Sequence, residues 1–332
     1  MQKVFYTALI IFLGSIISFD GCSDNSITPS GVNMPVISTY PVSGICVSSF
    51  VRNIYGTDYA FLALGSAGMQ ILNVTNPGAP GAAGSYSAAG LTDEIYVSII
   101  DSIPYAFLAT GTGGLVVLNV SNISSPVVDT ILTFAGDEIY SVFVDSASQK
   151  LYTGGKSAKL YIMDLRSIPA VTSVATYTSS TNINEIQVQN NVAYIAEDGG
   201  LDIVNVTNPA NPVRYSLGTS DDYAYDVRVN GQYAFISNNN NGVLVLNVSN
   251  PVNPQQTSYL QTTDIALATT INNNIVYVAE DQSGVEAFDV SNPAAPNYLA
   301  SYITNSYSEH VYFYNGYTFV ADYNKYVVLK YP

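Results

Sequence analysis

Any chemistry in this chain has to come from carboxylates. The sequence holds one histidine, His310, and no tryptophan. A lone imidazole cannot form a transition-metal cluster, and a His-based triad would have to be assembled around that one position. No Gly-x-Ser-x-Gly elbow, phosphate loop or dinucleotide fingerprint occurs. Acidic residues, in contrast, recur at spaced positions. Aligning similar segments places Gly44, Glu94, Glu138, Glu185, Asp226, Ala268 and His310 at equivalent points, with Asp93, Asp137 and Glu309 beside three of them. The pairing of Glu94 with Glu138 rests on a shared Asp-Glu-Ile-Tyr start. Four such carboxylates form a candidate site for a hard cation, with Ca²⁺ held by Glu94, Glu138, Glu185 and Asp226, or for a basic ligand, since hard cations prefer several oxygen ligands. The plainer reading, and the favoured one, is a set of solvated strand starts on an acidic protein.

The elements that position these residues follow from composition and pattern. Of the 332 residues 48% are hydrophobic and only 11% charged, so the chain can bury a large core and must face water mainly with uncharged polar groups. With 25 acidic against 10 basic residues the net charge is −15, which repels phosphate backbones and excludes nucleic acid as an expected partner. The two cysteines, Cys22 and Cys46, are too few for a disulfide scaffold. Cys46 reads as a small buried apolar residue.

Residues 1–21 read as an export signal: a short positive start, then an apolar run from Val4 to Phe19 that is too short to span a membrane comfortably. The run ends at Phe19-Asp20-Gly21-Cys22, which resembles the processing box of bacterial lipoproteins, with Asp20 where that family has a small residue. The resemblance implies that Cys22 is lipidated, so the protein would meet a membrane only through a lipid anchor. Ordinary cleavage without lipidation is the alternative. Residues 22–33, polar with Gly and Pro, read as a flexible linker.

Residues 34–332 are repetitive. Gly68-Met-Gln-Ile-Leu-Asn73-Val-Thr-Asn76-Pro77-Gly-Ala-Pro80 recurs from Gly200, from Gly242 and from Gly284, with weaker copies centred on Asn119 and Asp164 and a half-copy ending at Tyr331. The anchors Asn73, Asn119, Asp164, Asn205, Asn247, Asp289 and Lys330 lie 41 to 46 residues apart, a period that indicates a propeller or a solenoid. Each unit divides into short segments rich in Val, Ile, Tyr and Phe, bounded by Gly, Asn, Asp or Pro, with no helical period. The expected fold is therefore all-β: a seven-bladed β-propeller with four antiparallel strands per blade. The chain stops after the third strand of its last unit. Pro35-Val-Ile-Ser-Thr-Tyr40 matches the fourth strand Pro254-Gln-Gln-Thr-Ser-Tyr259, so the N-terminal strand is expected to close the last blade.

The recurring Gly-[Leu/Val]-x-[Ile/Val]-[Val/Leu]-[Asn/Asp]-Val-[Ser/Thr]-Asn-Pro-x-x-Pro pattern resembles the LVIVD repeat of bacterial and archaeal cell-surface proteins. The resemblance covers residues 34–332. It implies a β-propeller and no particular activity, because fold alone does not supply function. The expectation is a monomeric binding or scaffold module in the bacterial cell envelope, at the outer membrane or secreted, facing a protein or glycan and using no cofactor unless Ca²⁺ occupies the acidic positions. The competing classes are a carboxylate-based hydrolase or lyase at an acidic channel mouth and a purely structural surface protein.

Overall fold

β-branched and aromatic residues in short runs between Gly, Asn and Pro leave the backbone little choice but pleated strands. The computed structural model describes residues 32–218, 223–239 and 242–331, and these carry strands in chain order. The chain enters through β1 (Val32–Asn33) and β2 (Val36–Cys46). The first blade is β3 (Ser48–Ile54), β4 (Thr57–Ala63), β5 (Met69–Asn73) and β6 (Gly81–Tyr86). The second is β7 (Glu94–Ile100), β8 (Ile103–Ala109), β9 (Leu115–Asn119) and β10 (Val127–Leu132). The third is β11 (Ile139–Asp145), β12 (Lys150–Gly155), β13 (Lys159–Asp164) and β14 (Thr172–Thr178). The fourth is β15 (Ile183–Gln189), β16 (Val192–Glu197), β17 (Gly200–Asn205) and β18 (Val213–Gly218). The fifth is β19 (Ala224–Asn230), β20 (Tyr233–Asn238), β21 (Gly242–Asn247) and β22 (Gln255–Leu260). The sixth is β23 (Ala266–Asn272), β24 (Ile275–Glu280), β25 (Gly284–Asp289) and β26 (Asn297–Tyr302), and the chain finishes with β27 (Ser308–Tyr314) and β28 (Tyr317–Leu329).

Closure follows the sequence expectation. β2 runs antiparallel to the second half of β28, with Val36 opposite Leu329 and Tyr40 opposite Tyr326, while the first half of β28 pairs with β27. The seventh blade is thus built from both ends of the described chain, and no outer strand is missing from the ring. The first strands neighbour one another around the circle, from β3 through β7, β11, β15, β19 and β23 to β27 and back to β3. They line the axis. β1 adds an unforeseen parallel strand to the outer edge of the sixth blade, opposite Ala300 and Ser301 of β26.

The core is divided among the seams between blades. Phe61 and Ala63 of β4 face the second blade, whereas Ala60 and Leu62 of the same strand face the seventh. Alternate side chains therefore serve different neighbours, which is why the middle strands are apolar on both faces.

The repeat motif now has a physical reading. Gly68, Gly114, Gly242 and Gly284 all hold φ between 79° and 100°, and a Cβ on any of them would lie 2.0–2.3 Å from the carbonyl oxygen that ends the fourth strand of the same blade. Only glycine meets both demands. The Asn of Asn-Val-Ser/Thr accepts the backbone N–H two residues on: Asn73 from Thr75 at 3.0 Å, Asn247 from Ser249 at 2.9 Å. The Asn before Pro repeats the device, Asn76 accepting from Gly78 and Asn292 from Ala294. Between the two turns Val74, Val120, Val206 and Val248 are buried, each contributing on the order of 1.5–3 kcal/mol by burial. The Pro carbonyl ties the blades together, Pro77 accepting from the Ser38 hydroxyl at 2.6 Å and Pro293 from Ser258 at 2.6 Å.

Candidate functional site

Seven equivalent positions on the first strands define one level of the axial channel. Each pairs with a small residue of the second strand: Ser48 with Ala63, Glu94 with Ala109, Ser141 with Gly154, Glu185 with Ala196, Asp226 with Ser237, Ala268 with Ala279 and His310 with Ala321. Glu94, Glu185, Asp226, Ala268 and His310 thus stand where the sequence alignment put them. Gly44 and Glu138 do not. Gly44 lies in β2, and Ser48 takes its place; Glu138 precedes β11, and Ser141 takes its place. In the third to seventh blades the register shifts by one residue just before this level, a β-bulge at Tyr140, Asn184, Tyr225, Leu267 and Glu309. The Asp137-Glu138 pair falls outside the strand, which starts at Ile139. Asp137 accepts from Ser157 and from the Tyr161 hydroxyl, and Glu138 takes an ion pair from Lys156 at 2.6 Å and the Tyr140 hydroxyl at 2.9 Å.

The carboxylates at this level are engaged with the fold. An innermost strand has a ladder partner on one side only, so its other N–H groups need acceptors from elsewhere. Glu94 accepts the N–H of Val142 at 2.7 Å, and Ser141 accepts that of Ile186 at 3.0 Å. Asp226 accepts both the N–H and the hydroxyl of Thr269, at 2.7 and 2.9 Å. Each reaches from one blade into the next. Ala268 cannot, and there Thr270 two residues further on accepts the N–H of Phe313 at 3.2 Å.

Charge is arranged around one arginine. Arg228 lies 2.7 Å from Glu185 and 3.2 Å from Asp226. Burial alone would lower its pKa, but the Asp226 and Glu185 carboxylates outweigh that and raise it. Burial, followed by the field of Glu185, pushes the Glu94 carboxyl well above the ordinary carboxylate range. Of the acids proposed to hold Ca²⁺, two face Arg228 and a third has its pKa raised by burial and by Glu185. Among the described residues no group of three or more His, Cys, Asp and Glu side chains is placed to hold a metal ion. The cavity at this mouth has a volume of about 30 Å³ and is bordered by Asp93, Glu94, Tyr140, Asn184, Glu185 and His310 among others.

Two residues further along the same strands the channel opens. Here Phe143, Tyr96, Phe50 and Tyr312 follow one another across four blades, with ring centroids 5.3, 4.6 and 4.9 Å apart. Gln187, Arg228 and Thr270 complete the circle on the opposite side. Gln187 is held by a two-way bond to Val229, accepting its N–H at 2.6 Å and donating to its carbonyl at 3.3 Å. Arg52, Asn230 and Asn272 stand beyond, towards the hairpins, and the cavity these groups enclose measures about 560 Å³. The sequence reading missed this level. Its signal was present, because every second residue of a strand shares a face and these seven lie two places after the acidic positions.

Cys46 is buried and free, its thiol pKa pushed up by burial, in keeping with a small core residue. Cys22 lies outside the described residues.

A family model described as the LVIVD repeat matches residues 53–88, 102–133, 182–216, 221–262 and 266–304. The chain belongs to the LVIVD-repeat family. The LVIVD matches fall on the first, second, fourth, fifth and sixth blades. The third blade departs from the motif at Asp164-Leu-Arg-Ser-Ile-Pro169, and the seventh divides its strands between the two ends of the chain. Among solved structures, the one titled "Structure of U3-55K" is similar to this LVIVD-repeat chain with a TM-score of 0.68 at 9% identity, over 90% of this chain and 98% of that one. At that identity the likeness concerns the propeller fold alone. No curated protein sequence matches the chain.

Proposed function

We propose that this LVIVD-repeat propeller is a binding module, tethered to the bacterial envelope through its N-terminus, and that the wide mouth of its channel receives a protein or glycan partner. The observation that carries the reading is the contrast along one set of strands. At the acidic level Glu94 and Asp226 bond to the neighbouring blade and Glu185 to Arg228, whereas two residues further on aromatic and polar groups line a cavity of about 560 Å³. Small-ligand pockets are commonly concave, partly aromatic and of about 300–1,000 Å³. A carboxylate hydrolase at the narrow mouth is the competing reading, and the raised pKa of Glu94 suits a general acid. The cavity there, about 30 Å³, has room for little more than water.

The test is retention of native envelope components on the immobilised full chain. Arg52→Ala and Tyr312→Ala together should abolish specific retention, whereas Glu138→Gln should not. Equal retention by all forms would move the binding surface away from the channel. Cys22→Ser should release the protein from membranes, and persistence there would remove the lipid tether.

A further inference from the structure

We propose that the wide-mouth cavity binds an uncharged sugar ring, the exposed pyranose unit of a glycan. This rests on the binding-module reading above and narrows it to one ligand chemistry. Three observations converge on that ligand.

The wall is curved. Tyr96 is tilted 47° to Phe50 and 61° to Phe143, and Tyr312 is tilted 44° to Phe50. A flat aromatic ligand stacks offset on one ring face or meets a ring edge to face. Here each ring faces a different direction, so a planar guest could lie against one of them only. A puckered ring with C–H groups on its face can touch two or three.

The opposite side is polar and matches the edge of such a ring. Gln187 and Thr270 are already positioned by bonds to the backbone of adjacent blades, so their orientation is set before any ligand arrives. Asn272 and Arg52 line the same cavity. A guest with one apolar face and a rim of hydroxyl groups fits both sides at once.

The charge balance selects against anions. Arg228 is flanked by Glu185 and Asp226, so it brings no net positive charge to the cavity. None of the ion pairs among the described residues includes Arg52, which leaves it as the one uncompensated cation of the cavity lining, on a chain of net charge −15. A phosphate or a polyanionic glycan would be repelled at long range and met by one guanidinium at contact. An uncharged sugar pays no such penalty, and Arg52 can donate to its hydroxyl oxygens.

The experiment titrates the full chain with neutral hexasaccharides of glucose, N-acetylglucosamine and mannose, followed by calorimetry or ligand-observed magnetic resonance. At least one should bind with a dissociation constant on the order of 10⁻⁵–10⁻³ M, the range of a single small site. Tyr96→Ala should weaken that binding at least about tenfold, the loss of one stacked face. Because Tyr96→Ala also removes core contacts, Tyr96→Phe and Arg52→Ala are measured beside it. The first should retain most of the affinity by keeping the stacking face, and the second should lose several-fold without unfolding. Binding by none of the neutral oligomers, tighter binding of a polyuronate, or binding unaffected by Tyr96→Ala each overturns the assignment. If envelope components are still retained through Arg52 and Tyr312 while no sugar binds, the ligand class fails and the binding-module reading stands. If neither depends on these residues, both fail.

Discussion

The two mouths of the channel are built from the same seven strands, two residues apart, and differ in how much of their lining the fold itself uses. At the narrow mouth carboxylates and hydroxyls reach sideways into the next blade, so Glu94, Ser141 and Asp226 each satisfy a backbone N–H that the sheet leaves open. At the wide mouth Gln187 and Thr270 reach sideways in the same way, whereas Arg52, Tyr96 and Asn272 line the cavity. A ring of acids in a propeller therefore need not be a ligand site. The position next to the axis has an unmet hydrogen-bonding demand of its own, and an acidic or hydroxyl side chain can meet it.

That contrast is sharpest where a substitution should damage one mouth and not the other. Asp226→Ala removes the acceptor of the Thr269 N–H and half of the charge that compensates Arg228. The expected loss is about 3 kcal/mol of stability, read as a fall in the urea midpoint. A loss below about 1 kcal/mol would mean that the clamp is incidental. Ser141→Ala orphans the Ile186 N–H while leaving charge untouched, and should cost about 1–2 kcal/mol in the same assay.

Smaller effects come from two of the carboxyls whose pKa is raised. For Glu94 the cause is burial and then Glu185; for Glu280, on the second strand of the sixth blade, burial and then Glu286 push the value from 4.5 up to about 10. In each case the fold binds the proton more tightly than the unfolded chain does. The stabilising contribution is thus complete below about pH 4.5 and declines as pH rises through the folded value, which for Glu280 sets a window from about 4.5 to about 10. Glu280→Gln keeps an oxygen acceptor for the N–H groups of Thr263 and Asp264 and removes the titration. It should raise the melting temperature at pH 9 relative to the parent and change it little at pH 4.5. Glu94→Gln should flatten the same profile from pH 4.5 upward, and an unaltered slope in both variants would show that neither carboxyl retains its proton. The smallest effect belongs to the wide mouth: Arg52→Ala should alter stability by less than about 0.5 kcal/mol while reducing ligand retention.

The propeller was legible in the sequence because its motif is dictated by local geometry. Gly242 meets a positive φ and a nearby carbonyl, Asn247 folds onto its own turn, and Val248 plugs the space beneath, so each copy repeats the same residues for the same reasons. The closing strand was legible for a similar reason, since Val36 to Tyr40 carries the pattern of an outer strand without its own blade. The acidic level was only partly legible. Glu185, Asp226 and His310 lie eleven residues before their second-strand partners Ala196, Ser237 and Ala321, and this even spacing carried the alignment. In the first two blades the hairpins are longer, as Ser48 opposite Ala63 and Glu94 opposite Ala109 attest. In the third, Ser141 opposes Gly154 thirteen residues on, so its hairpin is longer as well. The shared Asp-Glu-Ile-Tyr then misled, because Glu94 begins its strand whereas Glu138 stands before one. Arg228 carried no signal of its own: only the strands' alternation, applied two places on, would have singled out the level at which it meets the aromatic residues.

The seam between β2 and β28 also governs when the molecule can become whole. Val36 to Tyr40 are among the first described residues to leave the ribosome, and their partners, Tyr326 to Leu329, are among the last. Until β28 is made, six wedges can form in turn while the strand meant for the seventh has nothing to pair with, so closure waits on the pairing most distant in sequence among the described strands.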